Sequence, residues 1–223
     1  MKTFIVIPAF NEATVISKVL NQLKEAGYKN VLVVNDGSSD KTGEILQRHG
    51  VHVAEHLLNR GLGGALGTGL AGALKLGADI IITFDADGQH SVHDIPKMIE
   101  PIKNKEADAV IGSRTMNPDG MPMIRRAFNF VANIITLILF RIWVTDSQSG
   151  LRAFSRKAAQ AIEIRTNRME VSSEFIREIK HKKLRLKEVP IKAIYTDYSL
   201  SKGQSFWVGV KTFYKLVIYK LMN

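Results

Sequence analysis

The chain contains no cysteine, which excludes disulfide scaffolds, thiolate metal centres and thiol nucleophiles while leaving the compartment open. It also lacks a long uninterrupted apolar run. The most hydrophobic stretch, residues 128–144, is broken by Asn129, Asn133 and Arg141, and a membrane span needs about 20 apolar residues with few charges. No cleavable leader is apparent, because Met1-Lys2-Thr3-Phe4 runs directly into a strand-like segment; a cytoplasmic active domain is expected. Tandem repeats and low-complexity tracts are absent as well. The last scarcity is local. Residues 123–223 carry only 7 acidic side chains against 19 Lys and Arg, whereas residues 1–122 carry 14 against 12. A basic second half on a chain of net charge +10 predicts a surface for a polyanion, either nucleic acid or an anionic membrane.

What is present is ordinary globular material. With 223 residues, 45% hydrophobic and 23% charged, the chain is long enough for one domain with a full core. The first half alternates short apolar runs with helical periodicity. Strands are predicted over residues 4–7, 31–34, 51–54, 79–84 and 109–111, and helices over 12–26, 41–48, 62–76 and 95–102. These apolar strands predict an α/β fold on a mainly parallel sheet, covered by helices on both faces. The helix over 62–76 is rich in Gly and Ala, which suits close packing on the sheet at some cost in helix propensity. In the second half the pattern loosens to a strand over 152–154, helices over 158–164 and 171–180, and an extended strand-pair region over 184–195 around Pro190. Residues 206–221 set Phe206, Trp207, Val210, Phe213, Tyr214, Val217 and Leu221 against Lys211, Lys215 and Lys220. That is a basic amphipathic helix, lying on a membrane surface or packed on the domain itself. A domain over 1–203 followed by this element over 204–223 is the expected organisation.

Three predicted strands end in polar signatures. Asp85-Ala86-Asp87-Gly88-Gln89-His90 follows the fourth strand, and two carboxylates spaced i, i+2 in one loop can approach a single hard cation. Magnesium or manganese takes one or two carboxylates and fills its shell with water and substrate phosphates. Asn35-Asp36-Gly37-Ser38-Ser39-Asp40 follows the second strand. Asp36 can accept hydrogen bonds from a nucleobase or ribose there, while Ser39 or Asp40 reads as a cap for the next helix. Pro8-Ala9-Phe10-Asn11-Glu12 takes the matching place after the first strand. Ligands gather at the carboxyl ends of strands in open parallel sheets, so the three exits predict one shared cleft. His90 and His93 receive no assignment. A rival pattern lies in Gly61-Leu62-Gly63-Gly64-Ala65-Leu66-Gly67, but a dinucleotide fingerprint follows its strand directly, and residues 55–60 intervene here. A basic binding protein without enzymatic activity explains the charge of the second half but not three acid-bearing strand exits.

These segments resemble the family-2 glycosyltransferases of the GT-A fold, in the Pro-Ala-x-Asn-Glu opening, the Asp-Gly-Ser-x-Asp loop and the Asp-x-Asp-x-Gln-His loop, across roughly residues 3–200. Gly112-Ser113-Arg114, the run from Asp146-Ser147-Gln148-Ser149-Gly150 to Leu151-Arg152-Ala153-Phe154, and Glu188-Val189-Pro190-Ile191 narrow the likeness toward polyprenyl-phosphate sugar transferases similar to dolichyl-phosphate mannose synthases. The resemblance implies a nucleotide-sugar donor, a polyprenyl phosphate acceptor and Mg2+ or Mn2+. It implies that Pro8, Phe10, Glu12 and Asp36 line the nucleotide pocket, with Ala86 against the nucleotide, and that Asp85, Asp87 and Gln89 hold the metal. Arg114 would face the donor diphosphate or the acceptor phosphate, and Lys202 matches a later basic residue of the family loosely. Inversion at the sugar carbon and attachment to the cytoplasmic face of a membrane follow from the same likeness. Asn35 departs from it, standing where many relatives have Asp. So does the chain's end at Asn223, without the transmembrane helices many relatives append; attachment is then expected through residues 128–144, the C-terminal helix or a partner. A phosphate monoester with its second pKa near about 6 is already ionised as a nucleophile, so a lipid phosphate requires no general base. A hydroxyl acceptor requires one, with Asp146, Glu170 and Glu174 as candidates. The Gln-x-x-Arg-Trp signature of processive synthases is missing, so polymerisation is not expected.

Overall fold

Successive residues of a strand point to opposite faces of the sheet, and in β1 (Thr3–Ala9) both faces are apolar. Ile5 and Ile7 enter one buried cluster and Phe4 and Val6 the other. β4 (Ile80–Thr83) repeats this, with Ile80 and Ile82 on one side and Ile81 on the other. Such strands need cover on both sides. The first face is covered by α1 (Ile16–Glu25), α2 (Thr42–His49) and α4 (Ile95–Lys103), through Val19, Leu23, Leu46 and Met98. The second is covered by α3 (Gly61–Lys75), α6 (Arg156–Ala161) and α7 (Val171–His181), through Leu66, Leu70, Ala158 and Phe175. The structure, a computed structural model, describes residues 1–119, 121–167, 170–192 and 194. Lys202 and the predicted helix over 204–223 lie outside the described residues.

β2 (Val31–Asn35), β3 (His52–Glu55), β5 (Ala109–Ser113), β6 (Arg152–Ser155) and β7 (Leu186–Pro190) complete a seven-stranded sheet of order β3-β2-β1-β4-β6-β5-β7. β6 runs antiparallel to β4 and β5, and the other pairings are parallel. The mainly parallel α/β sheet read from the sequence is thus the observed one. The strand order turns at β1: β2 and β3 are added on one side, β4 on the other. This is the topological switch, at the carboxyl ends of β1 and β4, where open α/β sheets form the crevice that takes their ligands. The small residues of α3 do what their size allows. A Cβ on Gly69 would stand 2.2 Å from Val6 Cγ1, so only glycine lets the helix lie this close to β1.

Three boundaries differ from the pattern reading. α1 starts at Ile16, four residues after the predicted Glu12. The amides of Asn11, Glu12 and Ala13 are taken by side chains of the next loop, Ser38 Oγ, Thr42 Oγ1 and Asp40 Oδ2, and Asn11 is left-handed at φ 54°. Instead of a strand pair over 184–195, the described residues there form one strand, β7, in parallel register with β5. α6 ends at Ala161, where Ile162 turns to extended backbone at ψ 127°.

α5 (Met123–Phe140) is one continuous helix that begins five residues before the apolar run. Its orientation is inverted relative to a helix on a water-soluble core. The buried residues are the polar Asn133 and Thr136, while Met123, Ile124, Phe130 and Val131 are 77%, 65%, 57% and 52% exposed. An amphipathic helix on a globular core shows the reverse.

Candidate active site

The loop after β4 brings the paired carboxylates to the crevice. Asp85 is partly open, with 34% of its side chain exposed, and accepts a hydrogen bond from His90 Nε2 at 2.9 Å. The ring of His90 is buried edge-on against Phe84, and its Nδ1 has no partner among the described residues. Burial raises the pKa of Asp85, but the His90 hydrogen bond and the positive charges of His90, Arg152 and Arg114 outweigh it and hold the carboxyl below its ordinary value. Asp87 moves the other way. Burial, then the charges of Asp85 and Glu12, push it up against the opposing hydrogen bond from the Gln89 amide. Gln89 folds back on Asp87, its backbone N–H on Oδ1 at 2.9 Å and its Nε2 on Oδ2 at 2.7 Å. Asp85 and Glu12 thus act on Asp87 as like charges, while the positive charges of His90, Arg152 and Arg114 act on Asp85.

The β2 exit uses its acid differently. Asp36 is 3% exposed, and its oxygens meet His56 Nδ1 at 2.6 Å, Arg60 N at 2.9 Å and Gly61 N at 2.7 Å. It caps the start of α3 from a neighbouring strand, and His56 passes the chain of bonds on to Thr68 Oγ1 at 2.9 Å. The glycine string from Gly61 thus lies inside a helix whose first amides are occupied. This removes the dinucleotide reading, which needs open amides at a strand–helix turn. Asp40 caps α2 as expected, accepting the Thr42 amide at 2.9 Å. Asn35 is buried, with Oδ1 accepting from Ser38 N at 3.3 Å.

The opposite wall is the segment 145–152, leading into β6. Asp146 is fully buried and grips Arg114 through Nε at 2.7 Å and Nη2 at 2.8 Å, besides its backbone N–H at 3.0 Å. Gly150 lies directly against the loop after β4. A Cβ there would stand 1.9 Å from Asp85 Oδ2, and its carbonyl is fixed by Thr83 Oγ1 at 2.7 Å. Below them Arg152 is 1% exposed, its guanidinium 5.0 Å from the Phe175 ring, and burial lowers its pKa to about 10 while the charges of Asp85 and Asp146 pull it back up.

The structure therefore sets Asp85, Asp87 and Gln89 on one loop, with Glu12 near enough for its charge to act on Asp87, and leaves Phe10, just past β1, 44% exposed. Pro8 pairs with Val34 across β1 and β2. The Ala86 side chain is buried in the core cluster, so only its backbone can face a ligand. Arg114 is turned into Asp146. Of the candidate bases, Asp146 is consumed by Arg114, and Glu174 by the amides of Arg165 and Thr166 together with Arg177. Glu170 lies at the N-cap of α7. Gly150 and Arg152 were given no role by the sequence, although an arginine inside an apolar strand is itself the signature of a buried counter-ion.

A model of the family described as glycosyl transferase family 2 matches residues 4–163. A protein of Methanocaldococcus jannaschii, named only as uncharacterized, is 52% identical over 223 residues, covering 98% of this chain and 92% of its own. The UDP-N-acetylglucosamine–dolichyl-phosphate N-acetylglucosaminyltransferase of Methanococcus voltae is 41% identical over 240 residues, covering 98% and 96%. Among solved structures, glucosyl-3-phosphoglycerate synthase from Mycobacterium tuberculosis, in complex with Mn2+, UDP and phosphoglyceric acid, superposes with a TM-score of 0.76. It is 18% identical and covers 99% of this chain and 77% of that one.

Proposed function

Because the chain belongs to glycosyl transferase family 2 and is a glycosyltransferase of the GT-A fold, we propose that it moves a sugar from a nucleotide-sugar to a polyprenyl phosphate, with inversion, at the cytoplasmic face of a membrane. The observation that carries this reading is the inverted α5, an 18-residue helix of mean hydropathy 1.5 that exposes its apolar residues beside the cleft. Exposed apolar patches of this kind mark interaction surfaces, and the exposed Arg126 and Arg141 near its two ends suit anionic head groups. The Methanococcus voltae relative supports the acceptor class by its name. The commitment of Asp146 and Glu174 to structural bonds supports an acceptor that arrives ionised.

The site suits a divalent ion. Asp85 and Asp87, with Gln89, would hold it, and the raised pKa of Asp87 among like charges is the mark of a cluster that gains from a cation. No set of three His, Asp or Glu side chains converges on one point among the described residues, so an ion held by this loop would take the rest of its shell from water and phosphate. When bound, such an ion acts as a Lewis acid for the departing diphosphate. The protein's own contribution is to keep Asp85 ionised through His90 and Arg152, to fix the cleft wall through Asp36 and the start of α3, and to aim the β4 loop through Gly150.

The test is transfer itself. Purified protein is given radiolabelled UDP-N-acetylglucosamine or other nucleotide-sugars with a short polyprenyl phosphate and Mn2+, and the organic phase is counted. Label should appear there only with both lipid phosphate and metal, and a chelator should abolish it. Equal transfer to a non-phosphorylated polyprenol or to a soluble sugar would overturn the acceptor assignment.

A further inference from the structure

Asn133 of helix α5 is bonded to the segment 145–152, and its partners there are backbone groups. Asn133, 3% exposed, donates from Nδ2 to the Thr145 carbonyl at 2.6 Å and accepts the Ser147 N–H at Oδ1 at 2.9 Å. The two bonds bracket Asp146, whose carboxylate is already fixed by Arg114. The same segment ends at Gly150, packed against Asp85 and held by the Thr83 hydroxyl. A shift of α5 therefore moves the main chain of this segment, and the end of that main chain shapes the pocket of a metal-loop carboxylate. A side chain on a flexible stem would absorb such a shift; paired backbone bonds on either side of a buried ion pair transmit it.

We propose that seating α5 on a lipid bilayer and binding of a divalent cation at Asp85 are coupled through Asn133. The proposal rests on the reading of α5 as the membrane-facing helix. Coupling of this kind is reciprocal: whatever factor vesicles impose on cation affinity, the cation imposes on vesicle partitioning. An enzyme so built holds its metal best where its lipid acceptor lies.

The measurement is Mn2+ affinity of the full chain by electron paramagnetic resonance, with and without vesicles of phosphatidylcholine and phosphatidylglycerol, alongside flotation of the same samples. The wild-type protein should float and bind Mn2+ about fivefold more tightly on vesicles, at the lower end of ordinary couplings. Asn133→Ala should float equally well and lose that gain, with far-UV circular dichroism confirming the fold; Asn133→Ser serves if the alanine variant does not fold. Gly150→Ala should weaken Mn2+ binding at least tenfold with or without vesicles. Flotation with unchanged Mn2+ affinity, a full vesicle response in Asn133→Ala, or wild-type affinity in Gly150→Ala each overturns the coupling alone. Failure of the wild-type protein to float removes the docking role of α5, and this inference with it.

Discussion

At Asp87 stability and activity pull in opposite directions. Burial and the charges of Asp85 and Glu12 push its carboxyl up, so the ionised form is held against a cost that the proposed cation would offset. Asp87→Asn keeps the shape and removes the repulsion. It should leave the urea midpoint unchanged or slightly higher and cut metal-dependent transfer about 100- to 1,000-fold, the scale on which a preorganised electrostatic contact acts. Paired unfolding curves and initial rates decide it, and a variant with full rate sinks the metal assignment. Arg152 is the opposite case. Its charge acts on Asp85 and Asp146 and its Nη2 donates to the Ser147 carbonyl at 3.3 Å, and stranding buried polar partners costs about 1–3 kcal/mol. Arg152→Met should lose stability of that order in urea; a loss under about 1 kcal/mol would show that the two acids do not lean on it. The paired acids and the arginine were visible as residues in the sequence. Their mutual placement was not, because the charge of Arg152 acts on Asp85 only through the β4–β6 register that sets Arg152 beside Thr83. Arg114 likewise meets Asp146 across 32 positions.

Among the elements, those fixed by local pattern were legible. β1, β2 and β4 declare themselves by apolar runs, and α3 by its small residues. What could not be read is whatever non-local bonds decide: the late start of α1, and the outward turn of α5. Apolar periodicity says that a face is apolar without saying whether protein or lipid covers it. The pairing of β5 with β7 belongs to the same class. Asp108, just before β5, accepts the Arg185 amide, Nε and Nη2, each at 3.0 Å, and its pKa falls to about 2. A carboxyl depressed in the folded state adds stability above its unfolded value and loses it as pH falls through the folded one. Arg185 has 55% of its side chain exposed, so solvent screening discounts the full shift to about 1–2 kcal/mol. Asp108→Asn should therefore be less stable than wild type by that amount at pH 7. The difference should shrink from about pH 4 downward, through the folded value of about 2, and be gone only below it. Urea midpoints across that range test it, and a gap that does not shrink between about pH 4 and pH 2 would assign the loss to packing.

For the whole molecule, the proposed docking on a membrane would draw on two forces that respond to salt differently. The net charge of +10 arises almost wholly after residue 122, and each basic residue near an anionic surface contributes about 1 kcal/mol within a Debye length. That length shrinks from about 8 Å at physiological salt to 3 Å at 1 M. The apolar residues of α5 act by burial, at about 25 cal/mol per Å² removed from water, a term that salt does not weaken. Flotation on vesicles containing phosphatidylglycerol should accordingly fall with NaCl to a plateau rather than to zero, and that plateau should equal the level on pure phosphatidylcholine. Ile124→Glu combined with Val131→Glu, at positions 65% and 52% exposed, should abolish the plateau and leave the salt-sensitive part in place. The unfolding midpoint should stay within about 0.5 kcal/mol of wild type, as for surface changes generally. A plateau that survives both substitutions would place the apolar contact elsewhere on the chain, whereas binding that vanishes entirely in salt would leave charge as its sole cause.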